Sequence, residues 1–98
     1  MKDKIIIHVI PEIRDLVPAY ITHRKSDIPV IRGLLDSGNF EQIQSMGHKM
    51  KGGGNLYGLA QVSAMGDKIE KAAPGKDKVS IEEALAVLED YLDRLEVQ

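Results

Sequence analysis

Apolar residues recur at intervals of three and four along most of the chain, which is the spacing of one face of an α-helix. The alternation typical of strands is nearly absent. Five helical faces are indicated, formed by Ile13, Leu16, Val17, Tyr20 and Ile21; by Ile28, Ile31, Leu34 and Leu35; by Ile43, Met46 and Met50; by Leu59, Val62, Met65, Ile69 and Ala72; and by Ile81, Leu85, Leu88, Leu92 and Leu95. Because the connections are short, we predict an all-α fold, an antiparallel four-helix bundle with an additional short or kinked N-terminal helix.

Prolines and a glycine divide the N-terminal part of this pattern. Pro11 suits the first position of a helix, whereas Pro18 is expected to break or kink that helix near Val17, because a proline in a helix removes a backbone hydrogen bond. Ser26 is predicted to cap the second helix, and Gly38 is predicted to end it.

Two later helices have capping patterns at their start. Asn39 is predicted to cap the third helix, with Gln42 three residues on, and Ser80 with Glu83 is a capping box for the fifth. The fourth helix is expected to stop before the segment PGKDK, residues 74–78.

The segment KIIIHVI, residues 4–10, is the one strand-like piece of the sequence. A lone strand has no partner in a helical bundle, so we expect residues 1–10 to be an extended lead-in that packs its isoleucines on the helices. Pairing in a dimer is the alternative. We predict one domain over residues 1–98, with the bundle from about residue 11 to residue 96.

Composition narrows the function classes. Thirteen Lys and Arg against 15 Asp and Glu give a net charge of -2, so the overall charge does not indicate a nucleic-acid binder. The absence of cysteine excludes disulfides and thiolate metal sites. No apolar run approaches the roughly 20 residues that cross a membrane. We therefore expect a soluble, cytoplasmic protein without membrane contact, and a monomer, since short amphipathic helices close one bundle.

His48 lies on the polar side of the third predicted helix. At about 100° per residue, it falls about 150° from the apolar stripe, so its imidazole should project into solvent. By the same count its surface neighbours are Glu41, Gln44, Ser45, Lys51, Gly52 and Asn55.

An exposed histidine beside a lysine has a chemical meaning. A neutral imidazole is a good nucleophile and can accept a phosphoryl group, whose oxygens Lys51 would neutralise. The sequence places no obvious general base for water beside His48 and no acidic metal-binding cluster. The helix-weakening glycines, Gly47, Gly52 and Gly53, are interpreted as clearance for a partner's active site and as the turn into the next helix.

At these residues the sequence resembles a known family. The stretch HKMKGGGNLYG, residues 48–58, is similar to the signature of histidine phosphotransfer (HPt) domains, in which a histidine is followed at +3 by lysine and at +4 by glycine. The matching positions are His48, Lys51, Gly52, Gly53, Gly54 and Gly58. The preceding LLDSGNFEQIQSMGHKMKG and the downstream AMGDKIEKAA also resemble the family, so nearly the whole chain is covered.

The resemblance implies a four-helix bundle and a bacterial two-component phosphorelay. It implies that His48 exchanges a phosphoryl group with an aspartate of a response-regulator receiver domain, and that the partners are such a receiver, a hybrid histidine kinase or both. Such a domain is a phosphocarrier and not an enzyme that uses ATP. It has no cofactor or metal of its own, because the magnesium comes with the partner.

Two roles for the exposed face remain open at the level of sequence. In the first, His48 and Lys51 carry the chemistry, while Gly52, Gln44, Ser45 and Asn55 meet the partner. In the second, the chain is a non-catalytic helical adaptor that binds a partner protein through the same face. His8 and His23 are assigned structural roles, since no two histidines have the spacing of metal ligands on a helix.

Overall fold

The computed structural model describes residues 3–97 of the chain. Within them lie four helices, α1 (Val17–Ser37), α2 (Phe40–Gly54), α3 (Ala60–Ala72) and α4 (Lys78–Arg94), and two short strands, β1 (Ile5–Ile7) and β2 (Leu95–Val97). Single 3₁₀ turns precede α1 at Arg14–Leu16 and follow α2 at Asn55–Tyr57. The predicted helical class is confirmed.

The first helix differs from the prediction. No helix begins at Pro11, and the expected break near Val17 is absent, because Pro18 sits in the first turn of α1, where its missing N–H costs no hydrogen bond. Ser26 is not a cap but lies inside α1, where its hydroxyl donates to the carbonyl of His23 at 2.6 Å. The two predicted N-terminal helices are therefore one helix of 21 residues, and the bundle begins at Val17.

The predicted boundary between α1 and α2 is confirmed. Gly38 follows α1 with a φ of 74°, a left-handed conformation that glycine adopts without steric cost. Asn39 then caps α2, its side-chain oxygen accepting a hydrogen bond from the backbone N–H of Gln42 at 3.2 Å. These two residues turn the chain between the helices.

The predicted cap of the last helix is wrong. Asp77 rather than Ser80 caps α4, and its carboxylate accepts hydrogen bonds from the backbone N–H of Ser80 at 3.1 Å and from its hydroxyl at 2.7 Å. These bonds to Ser80 hold the pKa of Asp77 below its usual range. An ionised carboxylate is the stronger acceptor for free N–H groups at a helix start, so α4 begins near the aspartate, before Ser80.

The lead-in does have a strand partner, which corrects the expectation of a lone extended segment. β1 pairs in parallel with β2, with Ile5 opposite Leu95 and Ile7 opposite Val97. Leu95 was expected on the stripe of the last helix, but α4 ends at Arg94 and the chain continues extended. Ile7 is buried in the core, in keeping with the expected packing, while Ile6 is exposed.

The core lies between the four helices. α2 packs on α3, α3 on α4, and α1 on both α4 and α2. Its fully buried side chains come from the stripes expected from sequence and include Ile31, Ile43, Met50, Leu59, Ile69, Ile81, Leu85, Leu88 and Leu92. Removing this apolar surface from water is the main term that holds the helices together.

Candidate functional site

His48 lies on α2 with its side chain 74% exposed, as the helical count predicted. Its Nδ1 lies 2.5 Å from Oε2 of Glu70 on α3. A carboxylate only accepts hydrogen bonds, so Nδ1 carries the proton of the neutral ring, and the lone pair is on Nε2. The pairing therefore fixes the ring and leaves Nε2 as the nucleophilic atom.

Glu70 uses its two oxygens for two different partners. Oε2 accepts from His48, and Oε1 lies 3.5 Å from Nζ of Lys51. Its side chain is 21% exposed, so it is far less open to solvent than the imidazole that it holds. Both oxygens of Glu70 therefore have a partner on α2.

Lys51 is held by a second acid on α3. Its Nζ forms an ion pair with Oδ1 of Asp67 at 3.1 Å, and the other oxygen of Asp67 accepts a hydrogen bond from Nζ of Lys71 at 2.9 Å. Asp67 and then Glu70 raise the pKa of Lys51, while hydrogen bonds from Lys71 and then Lys51 lower the pKa of Asp67. Lys51 and Asp67 are therefore both charged at neutral pH.

Glycines bring these side chains together by letting α2 and α3 pack closely. A Cβ on Gly47 would lie 2.7 Å from the backbone N of Glu70, and one on Gly66 would lie 2.5 Å from the backbone N of Lys51. A Cβ on Gly54 would lie 2.5 Å from the backbone N of Ser63. These contacts pair later α2 residues with earlier α3 residues, so the two helices run in opposite directions.

Ser63 on α3 fixes the end of α2. Its buried hydroxyl donates to the carbonyl of Lys51 at 2.9 Å and accepts from the backbone N–H of Asn55 at 2.8 Å. A hydroxyl can do both at once, so it bridges the N–H of Asn55 and the carbonyl four residues before it. The turn that carries Lys51 is thereby held in place.

The glycines near His48 differ in whether another part of the protein lies against them. A Cβ on Gly52 would meet no atom of another element within 4 Å, which agrees with the expected open surface. The clearance interpretation is wrong for Gly47, which faces α3, and for Gly53, where a Cβ would lie 2.9 Å from the Tyr20 hydroxyl oxygen. Gly58 has a φ of 76° in the turn before α3, as expected for a turn residue.

The predicted contact residues Gln44, Ser45 and Asn55 are exposed. The first two lie one turn before His48 on α2, and Asn55 begins the 3₁₀ turn after it. Between residues 3 and 97, no group of three or more histidine, aspartate or glutamate side chains is arranged to hold a metal ion. No helix in the same range is long and apolar enough to cross a membrane.

The comparison with protein families decides the identity. The family model described as Hpt domain matches residues 15–98, which include all four helices and His48. The chain belongs to the Hpt domain family. Searches of curated proteins and of solved structures found no match.

Hpt domains are phosphocarrier modules of two-component phosphorelays, and they interact with response regulators and kinases. They are in general not kinases themselves. The match extends over the part of the chain from the 3₁₀ turn before α1 onward, so β1 lies outside it.

Sequence reasoning missed the two acids of this Hpt domain. The helical count covers only neighbours of His48 on the same helix and gave no general base beside the imidazole, whereas Glu70 and Asp67 come from α3. A signal was present, since the two acids are three residues apart on one helix and Asp67 directly follows Gly66. Whether these two acids reach His48 and Lys51 depends on the distance between α2 and α3, which is set by packing.

Proposed function

We propose that this Hpt domain exchanges a phosphoryl group between Nε2 of His48 and an aspartate of a response-regulator receiver domain. The hydrogen bond from Nδ1 of His48 to Glu70 supports the proposal most directly. It holds the tautomer in which the lone pair is on Nε2, and it turns a ring that is 74% exposed into a fixed acceptor.

The transfer needs no redox change. The Nε2 lone pair attacks the phosphorus of the receiver's aspartyl phosphate, the P–O bond to the aspartate breaks, and that bond's electron pair stays on the carboxylate. The proton on Nδ1 stays there, where Glu70 stabilises the positive charge that the ring gains. Transfer to the receiver is the same step in reverse.

Lys51 lies one turn after His48 and supplies a flexible positive charge for the phosphoryl oxygens. Gly52 leaves room for the receiver, and Gln44, Ser45 and Asn55 lie where the receiver would touch the surface. The magnesium and most of the remaining catalytic groups belong to the receiver in this proposal, and the chain uses neither ATP nor a cofactor of its own. The monomeric state and the cytoplasmic location stay predictions from the sequence.

The experiment uses a receiver domain that has first been phosphorylated with a radiolabelled small phosphodonor. Screening several receivers against this protein should yield label that is lost in acid and kept in alkali, as expected for a phosphohistidine. His48→Gln should take up no label, and His23→Gln, which changes an exposed histidine on α1, should take up as much as the wild type.

Label that persists on His48→Gln would overturn the assignment. A receiver that binds the wild-type protein without transferring any label would instead favour the helical adaptor, in which the same face serves only for docking.

A further inference from the structure

Four charged side chains form a continuous row beside His48. Lys71 donates a hydrogen bond to Asp67 at 2.9 Å, the Lys51 ammonium lies 3.1 Å from the other oxygen of Asp67, and the same ammonium lies 3.5 Å from Glu70, which holds the imidazole. Two cations and two anions alternate, so the row is electrically balanced. The row spans α2 and α3.

Asp67 and a phosphoryl group on His48 would share one cationic partner, Lys51. The shortest distance from the Lys51 ammonium to a carboxylate is to Asp67, and the only side-chain ion pairs that the described structure gives Asp67 are with Lys51 and Lys71. Lys51 is about half exposed, so its long side chain has room to move. A phosphoryl group on Nε2 would carry about two negative charges and would attract the same ammonium.

We propose that Asp67 is a positioning residue that competes with the phosphoryl group on His48 for Lys51, and thereby sets how strongly His48 retains phosphoryl relative to the receiver. The inference rests on the proposed function, and it assigns a regulatory role to a residue that does not touch the reacting atoms. Lys71 acts in the opposite sense, because it competes with Lys51 for Asp67.

The direction in which each substitution shifts the transfer equilibrium follows from thermodynamic linkage. The ion pair between Lys51 and Asp67 is present while His48 is unphosphorylated. If phosphorylation weakens this pair, the stabilisation that the pair loses opposes phosphorylation by the same free energy. Removing the carboxylate of Asp67 therefore shifts the transfer equilibrium toward phosphorylated His48. Removing Lys71 leaves Asp67 with Lys51 as its only partner in the row, strengthens the hold on Lys51, and shifts the equilibrium toward the phosphorylated receiver.

The measurement is the equilibrium constant for transfer between phosphoreceiver and His48, obtained from the partition of radiolabel between the two proteins. Asp67→Asn is expected to raise this constant by about twofold to fivefold, the range of exposed ion pairs. Lys71→Ala is expected to lower it by a smaller factor. Lys68→Ala removes an equal charge from the exposed side of α3 and is the matched control for Lys71→Ala.

A double variant separates competition for Lys51 from a general charge effect. In a Lys51→Ala background, Asp67→Asn should no longer change the equilibrium constant, because the lysine in question is gone. An equal effect in both backgrounds, or no effect in the wild-type background, would overturn the inference. The proposed function fails differently, since then no receiver exchanges label with the wild-type protein at all.

Discussion

The two helix pairs α2–α3 and α1–α4 are held together in different ways. α1 and α4 meet through large side chains such as Ile31 and Leu88, both fully buried, and Arg32 at their rim pairs with Glu82 at 3.6 Å and with Glu89 at 3.3 Å. α2 and α3 meet in part through glycine, where no side chain separates the backbones. Both pairs carry ion pairs at the surface, but only those of α2–α3 include a nucleophile.

The difference shows what close packing provides. Side-chain packing between helices gives stability and keeps the axes about 8–10 Å apart. A Cβ on Gly47 would lie 2.7 Å from the backbone N of Glu70, so the absence of a side chain there lets α3 come close enough for the Glu70 carboxylate to reach the imidazole of the next residue, His48. The α2–α3 pair therefore gives up the favourable helix propensity of alanine at these positions and gains a defined position for the nucleophile.

The largest effect is expected from Gly66→Ala. The added methyl group would lie 2.5 Å from the backbone N of Lys51 and 2.6 Å from the Cβ of Met50, so α2 and α3 must separate. Overpacking of this kind costs about 1–3 kcal/mol, to be measured by urea unfolding. Separation should also break the bond between His48 and Glu70, which nitrogen NMR would detect as a mixture of ring tautomers.

Gly33→Ala is the matched control for Gly66→Ala. Gly33 lies inside α1, and a Cβ there would meet no other element within 4 Å, so the same substitution should stabilise the protein by about 0.5–1 kcal/mol. If both variants changed stability in the same direction, the contrast between the two helix pairs would be wrong.

A smaller change, confined to the site, is expected from Glu70→Gln. The amide is nearly the same size but is neutral, so it weakens the hold on His48 and removes one of the two ion pairs of Lys51, leaving the one with Asp67. The rate of phosphoryl uptake from a receiver should fall about tenfold, as for other groups that orient a histidine, while the unfolding midpoint changes little. Uptake at the wild-type rate would show that the fixed tautomer is not needed for transfer.

The smallest effect is expected from Arg32→Ala at the rim of α1 and α4. Its ion pairs are about half exposed, so the free energy of unfolding should fall by only about 0–1 kcal/mol. Transfer rates should equal those of the wild type, because no group in this cluster contacts the site. A loss of transfer in this variant would mean that the Arg32 ion pairs between α1 and α4 also affect the site on α2 and α3.

Residues whose role depends on their own helix were predictable from the sequence. The exposure of His48, the open surface at Gly52 and the cap at Asn39 all follow from position along one helix. The role of Pro18 could not be predicted in this way. A proline breaks a helix or begins one according to where the first turn lies, and the turn before α1 is set by packing.

The missed features depend on contacts between distant segments. Leu95 continues the apolar spacing of α4 and also fits a strand, so its pairing with Ile5 could not be seen from spacing. Glu70 reaches His48 because Gly47 and Gly66 let two backbones meet, and that contact involves neither an apolar stripe nor a capping residue. In this protein Gly47 and Gly66 decide how closely α2 and α3 pack, which the sequence pattern did not indicate.

The pairing of β1 with β2 has a consequence for how the protein folds. It joins segments about 90 residues apart along the chain, so closing it early would cost more chain entropy, by about 1 kcal/mol, than forming a contact within a helical hairpin. We therefore expect the helices to bring the two ends together before the strands pair. With three residue pairs, this ladder should be among the last parts to form and the first to open, and its amide hydrogens should exchange with solvent well before those of α2 and α3.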